Sequence, residues 1–199
     1  MNITAIPPGH IAEIVTYLDM REPPKPAPLP PSPLRLNHWR PVDLAKYRIL
    51  FERVGAPWLW YSRLKMDDAA LDAIVNDAGI AFYAVEDRQG IEIGMLELDF
   101  RVEGECEIQF IGLVPELAGK GHGRWLMMQA LALAWRKHVE RVHLHTCTLD
   151  HPGALGFYRK MGFTPRGRAF ETSPDPRLNG TLPRDCAPRV PIIEDTVAT

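Results

Sequence analysis

The sequence contains few cysteines, and they are widely separated. Cys106, Cys147 and Cys186 form no CxxC pair and are too few for a disulfide framework. This pattern excludes a small disulfide-stabilised scaffold and a compact zinc-binding motif. It favours a reducing compartment, so we expect a cytoplasmic protein that holds no metal.

Net charge and long apolar runs are also nearly absent. The 23 basic and 25 acidic residues give a formal net charge of -2, which offers no overall attraction to nucleic acid or an anionic membrane. The most apolar run, at 125–135, is interrupted by Gln129 and is too short to span a bilayer. Residues 1–20 lack the basic and apolar segments of a secretory signal. We therefore expect a soluble protein without a nucleic-acid or membrane partner.

The composition that is present suits one globular domain. Of the 199 residues, 46% are hydrophobic and 24% are charged, a balance typical of a folded core. We treat 1–199 as a single domain with a proline-rich linker or strap at 21–36 and an extended C-terminal tail at 172–199. Prolines fix φ and remove amide donors, so the linker is predicted to be extended. Both a monomer and a homodimer are compatible with the sequence.

Hydrophobic periodicity divides the chain into strands and helices. In order, the predicted elements are a strand at 11–20, helices at 43–54 and 67–76, strands at 80–86, 92–100 and 106–114, a helix at 119–138, a strand at 141–148 and a helix at 152–161. Residues 190–193 are expected to form an edge strand or to pack on the domain. Because a strand, a crossover helix and a further strand form a right-handed unit, the expected fold is α/β (α+β), with antiparallel early strands and a parallel central pair.

A glycine-rich turn connects the third of these sheet strands to the apolar helix. Residues 114–126 read VPELAGKGHGRWL, with Gly119, Gly121 and Gly123 at alternate positions. Glycines let a ligand approach the backbone, and the free amides of a first helical turn attract an anion, to which Lys120 and Arg124 add positive charge. The turn has neither the GKS or GKT of a P-loop nor a GxGxxG followed by a suitably spaced acidic residue, so a phosphate is expected without a kinase or dehydrogenase fold.

Residues 80–163 resemble the GNAT superfamily of acyl-CoA-dependent N-acetyltransferases. The signature of that family after its fourth strand falls on Ala118, Gly121 and Gly123, although Ala118 replaces the usual Arg or Gln. A second landmark falls in HPGALGFYRKMGF at 151–163, where His151 replaces the usual Asn and Tyr158 is retained. The resemblance implies a largely antiparallel sheet with a splayed parallel pair, flanked by helices, and acetyl-CoA as cosubstrate.

The resemblance also implies which residues contact the cosubstrate. The expected contacts are Leu113, Val114, Ala118, Gly119, Lys120, Gly121, His122, Gly123, Arg124, His151 and Phe157. The backbone amides of the glycine loop are expected to hold the CoA pyrophosphate. A backbone N–H near Leu113 or Val114 is expected to polarise the thioester carbonyl.

Two side chains are candidates for proton transfer. By resemblance, Tyr158 lies near the CoA sulfur and protonates the departing thiolate, a role that suits a phenol, which keeps its proton at neutral pH. Glu107 is the candidate general base, while Glu97, Asp99 or water are alternatives. Strict alternation would place Glu107, Gln109, Ile111 and Leu113 on one face of their strand.

Further reactive side chains and an aromatic cluster suggest other roles. His143, His145 and Cys147 alternate along one strand but lack a fourth ligand at metal spacing, so ordinary packing is favoured over a metal site, and direct transfer is favoured over a Cys147 nucleophile. The aromatic residues within 58–61 either pack in the core or line the acceptor pocket.

The sequence therefore predicts an N-acetyltransferase that transfers an acetyl group from acetyl-CoA to a primary amine by direct attack. Its acceptor is a small-molecule or peptide amine, which the sequence does not identify. Because Ala118 and His151 depart from the family pattern, a non-catalytic acyl-CoA-binding regulatory or scaffold module of the same fold is the alternative.

Overall fold

A computed structural model describes residues 3–194, and all elements named below lie in that range. The strands are β1 (His10–Met20), β2 (Arg35–His38), β3 (Ile80–Glu86), β4 (Glu92–Asp99), β5 (Glu105–Leu113), β6 (Arg141–Cys147) and β7 (Thr164–Pro174). The α-helices are α1 (Leu44–Gly55), α2 (Asp68–Val75), α3 (His122–Ala134) and α4 (Ala154–Lys160). Within residues 3–194, no helix is long and apolar enough to cross a membrane.

The strands form one mixed sheet in the order β2-β3-β4-β5-β6-β1-β7. Every neighbouring pair is antiparallel except β5 and β6, which pair in parallel only from Glu105↔Arg141 to Glu107↔His143. Beyond these residues the described strands separate, which leaves a gap between their carboxyl ends. The predicted mixed, largely antiparallel sheet with a splayed parallel pair is confirmed.

Two strands were missed by the sequence analysis, and their physical features explain why. β2 has four residues, too few to establish an alternation, and β7 is solvent-exposed along most of both faces. β1 pairs with both β6 and β7, so the N-terminal segment lies inside the sheet between two strands from the C-terminal half. No strand forms at 190–193 in the described chain, where instead the Gly9 amide donates to the carbonyl of Ile193 at 2.7 Å.

Helices α1 and α2 begin where the sequence predicts them. The Asp43 carboxylate accepts a hydrogen bond from the Lys46 amide, and Asp67 caps α2 in the same way through the amide of Ala70. The apolar face of α1 packs against β4 and β5 and is fully buried; its residues include Tyr47, Leu50, Phe51 and Val54.

Helix α3 is shorter than the predicted span of 119–138. Gly119 and Gly121 have φ values of 75° and 82°, in the left-handed region, so the helix begins only at His122. It ends at Ala134 because Trp135 has ψ 71°, outside the helical region. The glycines thus form a turn before the helix, and the helix itself contributes the buried residues Trp125, Leu126, Met127, Ala130, Leu131 and Ala134.

A β-bulge in β5 changes which side chains share a face. Glu97 pairs with Phe110 and Leu98 pairs with Ile108, so Gln109 has no partner on β4. Since directly paired residues point to the same side, Glu107 shares its face with Phe110, while Ile111 and Leu113 project to the other face. The prediction of one unbroken face from 107 to 113 was therefore wrong.

Residues after β7 pack on the domain through a buried ion pair. Arg177 donates to both oxygens of Asp175, and its guanidinium also donates to the carbonyl of Val190 at 2.8 Å. Leu182 and Ala187 join a small second core with Ile11 and Leu59. The tail is thereby held next to the turn that follows α1.

Candidate functional site

The turn between β5 and α3 presents open backbone to solvent. After β5, Pro115–Leu117 form one 3₁₀ turn, and the glycines then lead into α3. A methyl group added to Gly119, Gly121 or Gly123 would meet no atom within 4 Å, so a ligand has free access to this backbone.

The same turn carries amides without protein acceptors. Within residues 3–194, no hydrogen-bond acceptor contacts the amide N–H of Gly119, Gly121, His122 or Gly123, whereas the Arg124 amide donates to the Gly121 carbonyl at 3.2 Å. Free N–H groups at a helix N-terminus carry a partial positive charge. The geometry suits a phosphate ligand.

A cavity of about 310 Å³ extends from this turn along the carboxyl end of β5 to α4. Eight of the predicted cosubstrate-binding and catalytic residues line it: Leu113, Val114, Ala118, Gly119, Gly123, His151, Phe157 and Tyr158. We call this cavity the thioester channel. Gly121 and Arg124 line a neighbouring cavity together with Gly119 and Gly123.

Three of the sequence-predicted side chains lie outside the thioester channel and the neighbouring cavity. Lys120 is exposed at the turn. The imidazole Nδ1 of His122 is 3.3 Å from the hydroxyl oxygen of Ser32 and faces a shallow pocket beside residues 87–89. Glu107 lies on β5, where its carboxylate contacts His145 instead.

A second cavity, of about 300 Å³, meets the thioester channel at Tyr158. Trp58 and Trp60 also line both cavities, and Tyr61 lines the second one, so the aromatic cluster within 58–61 does contribute to a pocket. We call this second cavity the acceptor cavity. It occupies the gap that opens where β5 and β6 separate.

The acceptor cavity is acidic. Glu13 on β1 lies directly opposite Glu171 on β7, and both residues line the cavity, where the nearby Cys147 and His145 partly offset the charge of Glu13. Burial, followed by the charges of Glu171 and Asp150, raises the pKa of Glu13. Like charges placed directly opposite each other destabilise a sheet, and a bound cation would relieve that repulsion.

Asp150 lies between the two cavities and lines both of them. Its carboxylate accepts hydrogen bonds from Trp60 Nε1 at 3.1 Å, from the Thr146 hydroxyl at 2.7 Å and from the Cys147 amide at 3.0 Å. The sequence analysis missed Asp150, Glu13 and Glu171. The position of Asp150 two residues after a predicted strand was an available signal, whereas the two glutamates meet only through the pairing of β1 with β7.

Tyr158, like Asp150, is a titratable residue that lines both cavities. Its ring packs on Phe157 and Phe163, with ring centroids 5.7 and 6.3 Å apart. Burial, and then the nearby Asp150 and Cys147, raise the pKa of the phenol well above its usual range. Tyr158 therefore keeps its proton at neutral pH and is able to donate it.

Glu107 and His145 form a carboxylate–imidazole pair, of which His145 lines the acceptor cavity. Glu107 Oε1 is 3.3 Å from His145 Nδ1, and the imidazole lines the cavity while the carboxylate lies behind it. The hydrogen bond between them lowers the pKa of Glu107 and raises the pKa of His145. His143 Nε2 lies 3.3 Å from Glu105 Oε2, and among the described residues no group of three or more His, Cys, Asp or Glu side chains is placed to hold a metal.

The alternative bases are engaged elsewhere. Glu97 is fully buried and accepts hydrogen bonds of 2.6 Å from both Tyr47 and Arg63. Asp99 is bound by the side chain and amide of Arg101, which together lower its pKa although burial raises it. Neither carboxylate lines the acceptor cavity or the thioester channel.

One of the two proposed carbonyl-polarising amides is already occupied. The Val114 amide donates to the carbonyl of Ile93 at 2.9 Å, on the β4 side of the strand. Successive amides of a strand point to opposite sides, so the Leu113 amide points toward the gap beside β6. Leu113 is thus the better placed donor.

Cys147 lines the acceptor cavity but is poorly suited to act as a nucleophile. Burial, followed by Asp150 and Glu13, raises the pKa of its thiol far above neutrality. It therefore remains a thiol under ordinary conditions.

Solved structures that share this fold include N-acetyltransferases. A GCN5-related N-acetyltransferase from Sphaerobacter thermophilus matches with a TM-score of 0.55 and 19% identity, over 84% of this chain and 52% of that chain. Spermidine N-acetyltransferase from Vibrio cholerae, in complex with CoA and spermine, matches with a TM-score of 0.54 and 22% identity, over 72% of this chain and 97% of that chain. A chimera built on that enzyme matches with a TM-score of 0.54 and 25% identity, over 68% of this chain and 83% of that chain.

The sequence itself identifies the family. The model of the acetyltransferase (GNAT) family matches residues 44–163, more than half of the chain. The protein belongs to the acetyltransferase (GNAT) family, a family of acyltransferases. No curated protein sequence matches the chain, which spans about half the length of the Sphaerobacter protein.

Proposed function

We propose that the protein transfers an acetyl group from acetyl-CoA to a primary amine. The observation that carries this proposal is the meeting of two cavities at Tyr158, one leading to a phosphate-binding turn and the other to an acidic pocket. In this arrangement the pantetheine arm lies in the thioester channel and the amine enters through the acceptor cavity. A cytoplasmic location remains a prediction from the cysteine content.

The chemistry follows from these positions. The amine nitrogen attacks the thioester carbonyl, whose oxygen is polarised by the Leu113 amide; the C–N bond forms, the C–S bond breaks and the thiolate takes the proton of Tyr158, while the proton released as the nitrogen becomes an amide restores the phenol. The ammonium form of the acceptor must lose a proton before attack. We assign that proton to the pair of Glu107 and His145, because His145 reaches the cavity and Glu107 stabilises the imidazolium.

The acidic cavity supports a cationic acceptor, and the best fit is a small amine with a second positive charge. Glu13 and Glu171 would hold the distal ammonium while the reacting amine lies near Tyr158. The similar Vibrio cholerae enzyme is a spermidine N-acetyltransferase, which agrees with an amine of this class.

Incubating the protein with acetyl-CoA and a panel of monoamines, diamines and peptides tests the proposal, with free thiol and acetylated acceptor measured together. We expect thiol release that depends on the amine. Binding of acetyl-CoA without thiol release for any amine would favour the non-catalytic binding module, which the departures at Ala118 and His151 from the family signature support.

Replacing Glu171 with glutamine should raise the KM for diamines about tenfold, because one charge-assisted hydrogen bond to the distal ammonium is lost. The KM for acetyl-CoA and for monoamines should stay the same. Glu103→Gln, at an exposed position in the turn between β4 and β5, removes the same charge outside the cavity and serves as the control. Equal KM changes in both variants would show that only the overall charge matters.

Replacing Glu107 with glutamine should shift the acid limb of the pH–rate profile to lower pH and reduce the plateau rate about tenfold. The hydrogen bond to Glu107 raises the pKa of His145. In the native protein the neutral imidazole therefore forms only at a pH above the usual pKa of histidine. Without the carboxylate, His145 loses its proton at lower pH and is a weaker base. Loss of the acid limb altogether would identify Glu107 itself as the base, and an unchanged profile would remove the pair from the mechanism.

A further inference from the structure

The proline-rich segment encloses a cavity that the glycine turn opens into. We call residues 23–33 the strap; they connect β1 to β2 and lie outside the residues that match the family model. Between the strap and the helices α3 and α4 is a cavity of about 830 Å³. Residues 23–27 and Leu29 form one wall, and Met128, Trp135 and Met161 contribute to the other.

The strap is anchored near the phosphate-binding turn but does not pack tightly on the helix. The Ser32 hydroxyl contacts His122 at the first turn of α3, and Leu34, just after the strap, is buried. In contrast, Leu29 remains 48% exposed although it faces an apolar cavity. Because prolines restrict the strap, this wall exists before a ligand binds and costs little conformational entropy to order.

The strap cavity continues from the thioester channel. Gly119, Gly123 and Phe157 line both spaces, and the open amides of the turn lie at their junction. A ligand that places its pyrophosphate at this turn and its thioester near Tyr158 would therefore extend its other end under the strap.

The residues that line the strap cavity indicate which chemical groups the ligand should carry at the end under the strap. Lys25 on the strap, Arg124 on α3 and Lys160 on α4 line it, and the lining found among residues 3–194 includes no carboxylate. Leu29, Met128 and Trp135 supply apolar and aromatic surface. Apolar surface next to several cations suits a flat base carrying a phosphate.

We propose that the strap forms one wall of a subsite for the 3′-phosphoadenosine end of CoA, with Lys25 contacting the 3′-phosphate and Leu29 contacting the adenosine. The proposal rests on the proposed use of acetyl-CoA. It assigns to the strap a binding role that the matched family segment does not contain.

Calorimetric titration of the full chain with CoA, 3′-dephospho-CoA and 4′-phosphopantetheine separates the parts of the ligand. We expect CoA to bind about tenfold more tightly than 3′-dephospho-CoA, the difference given by one charge-assisted contact. We expect 4′-phosphopantetheine, which lacks the adenosine, to bind most weakly.

Two strap variants locate these contacts. Lys25→Gln should reduce CoA affinity to that of 3′-dephospho-CoA, whose own binding should not change. Leu29→Ser should weaken both nucleotide ligands several-fold but leave 4′-phosphopantetheine unaffected. Lys46→Gln, at an exposed position on α1, is the charge-matched control and should bind all three ligands as the native protein does.

The outcomes distinguish the subsite from the proposed activity. Native CoA affinity in both strap variants, or an equal loss for all three ligands, would overturn the subsite while leaving CoA binding itself intact. Absence of CoA binding by the native protein would overturn both proposals. The expected pattern of affinities without acetyl transfer would support the subsite and contradict the enzymatic function.

Discussion

Turnover of the Tyr158→Phe variant should fall about a hundredfold relative to the native protein, while CoA affinity and folding remain unchanged. The ring would still pack on Phe157 and Phe163, so the change removes only the hydroxyl. Burial raises the pKa of this phenol, so in the proposed mechanism the proton is retained until the thiolate leaves. A loss of this size is the usual contribution of a general acid. Steady-state rates and CoA titration measure the two effects separately.

A donor with a better leaving group provides the control for this variant. Acidic thiols leave as stable thiolate anions and need no proton from the protein. The turnover of their thioesters should therefore fall much less in Tyr158→Phe. Equal losses for both donors would assign Tyr158 a packing role. Full activity of the variant with acetyl-CoA would exclude it from the reaction.

Replacing Arg63 with methionine should lower the free energy of unfolding by about 3–5 kcal/mol, because it leaves the Glu97 carboxylate buried without its cationic partner. Arg63 Nη2 donates to Glu97 Oε1 at 2.6 Å, and the exposed fraction of the Glu97 side chain is 0%. Removing one partner of such a pair is far more costly than removing both. Urea unfolding monitored by circular dichroism measures the change.

A double variant identifies the cause of this destabilisation. Adding Glu97→Gln to Arg63→Met removes the unpaired charge and should recover part of the lost stability. Arg101→Met breaks the more exposed pair with Asp99 and should cost no more than about 1 kcal/mol. If the double variant is no more stable than Arg63→Met, lost packing of Arg63 on Phe110 explains the effect instead of the buried charge.

The Arg63 pair also connects stability to the acceptor cavity. The Arg63 guanidinium lies 5.3 Å from the centre of the Phe110 ring, and Phe110 lines that cavity beside Trp60. Phe110 in the cavity wall therefore packs on Arg63, which belongs to a buried hydrogen-bonded group with Tyr47 and Glu97. The hydrogen bonds from Tyr47 and Arg63 hold the Glu97 carboxylate inside this group. This explains why Glu97 does not line the acceptor cavity.

Local chemistry made much of the protein predictable from its sequence. The helix starts at 43 and 67 were predicted correctly, and Asp43 and Asp67 cap α1 and α2 in the structure, because capping depends on residues three positions apart. The glycine turn was identified because it lies within one short segment, and the eight predicted residues that line the thioester channel come from only two segments, 113–123 and 151–158.

The acceptor cavity required the tertiary structure, because its residues are distant in the sequence. Glu13 and Glu171 are 158 positions apart, and only the insertion of β1 between β6 and β7 places them opposite each other. The bulge at Gln109 likewise depends on how β5 pairs with β4, and it moved Ile111 and Leu113 away from the face of Glu107. The periodicity of a single segment contains no information about how distant strands pair.

The sequence by itself indicated the family, the open glycine turn and Tyr158 as a candidate acid, since each depends on residue types at short, fixed spacings. The tertiary structure decided that His145 rather than Glu107 reaches the acceptor cavity, that this cavity is acidic and that the strap covers a space beside the glycine turn. The physical reason is that pairing of distant strands, and the path of a proline-rich segment without internal hydrogen bonds, are fixed by packing between segments and not by local propensity.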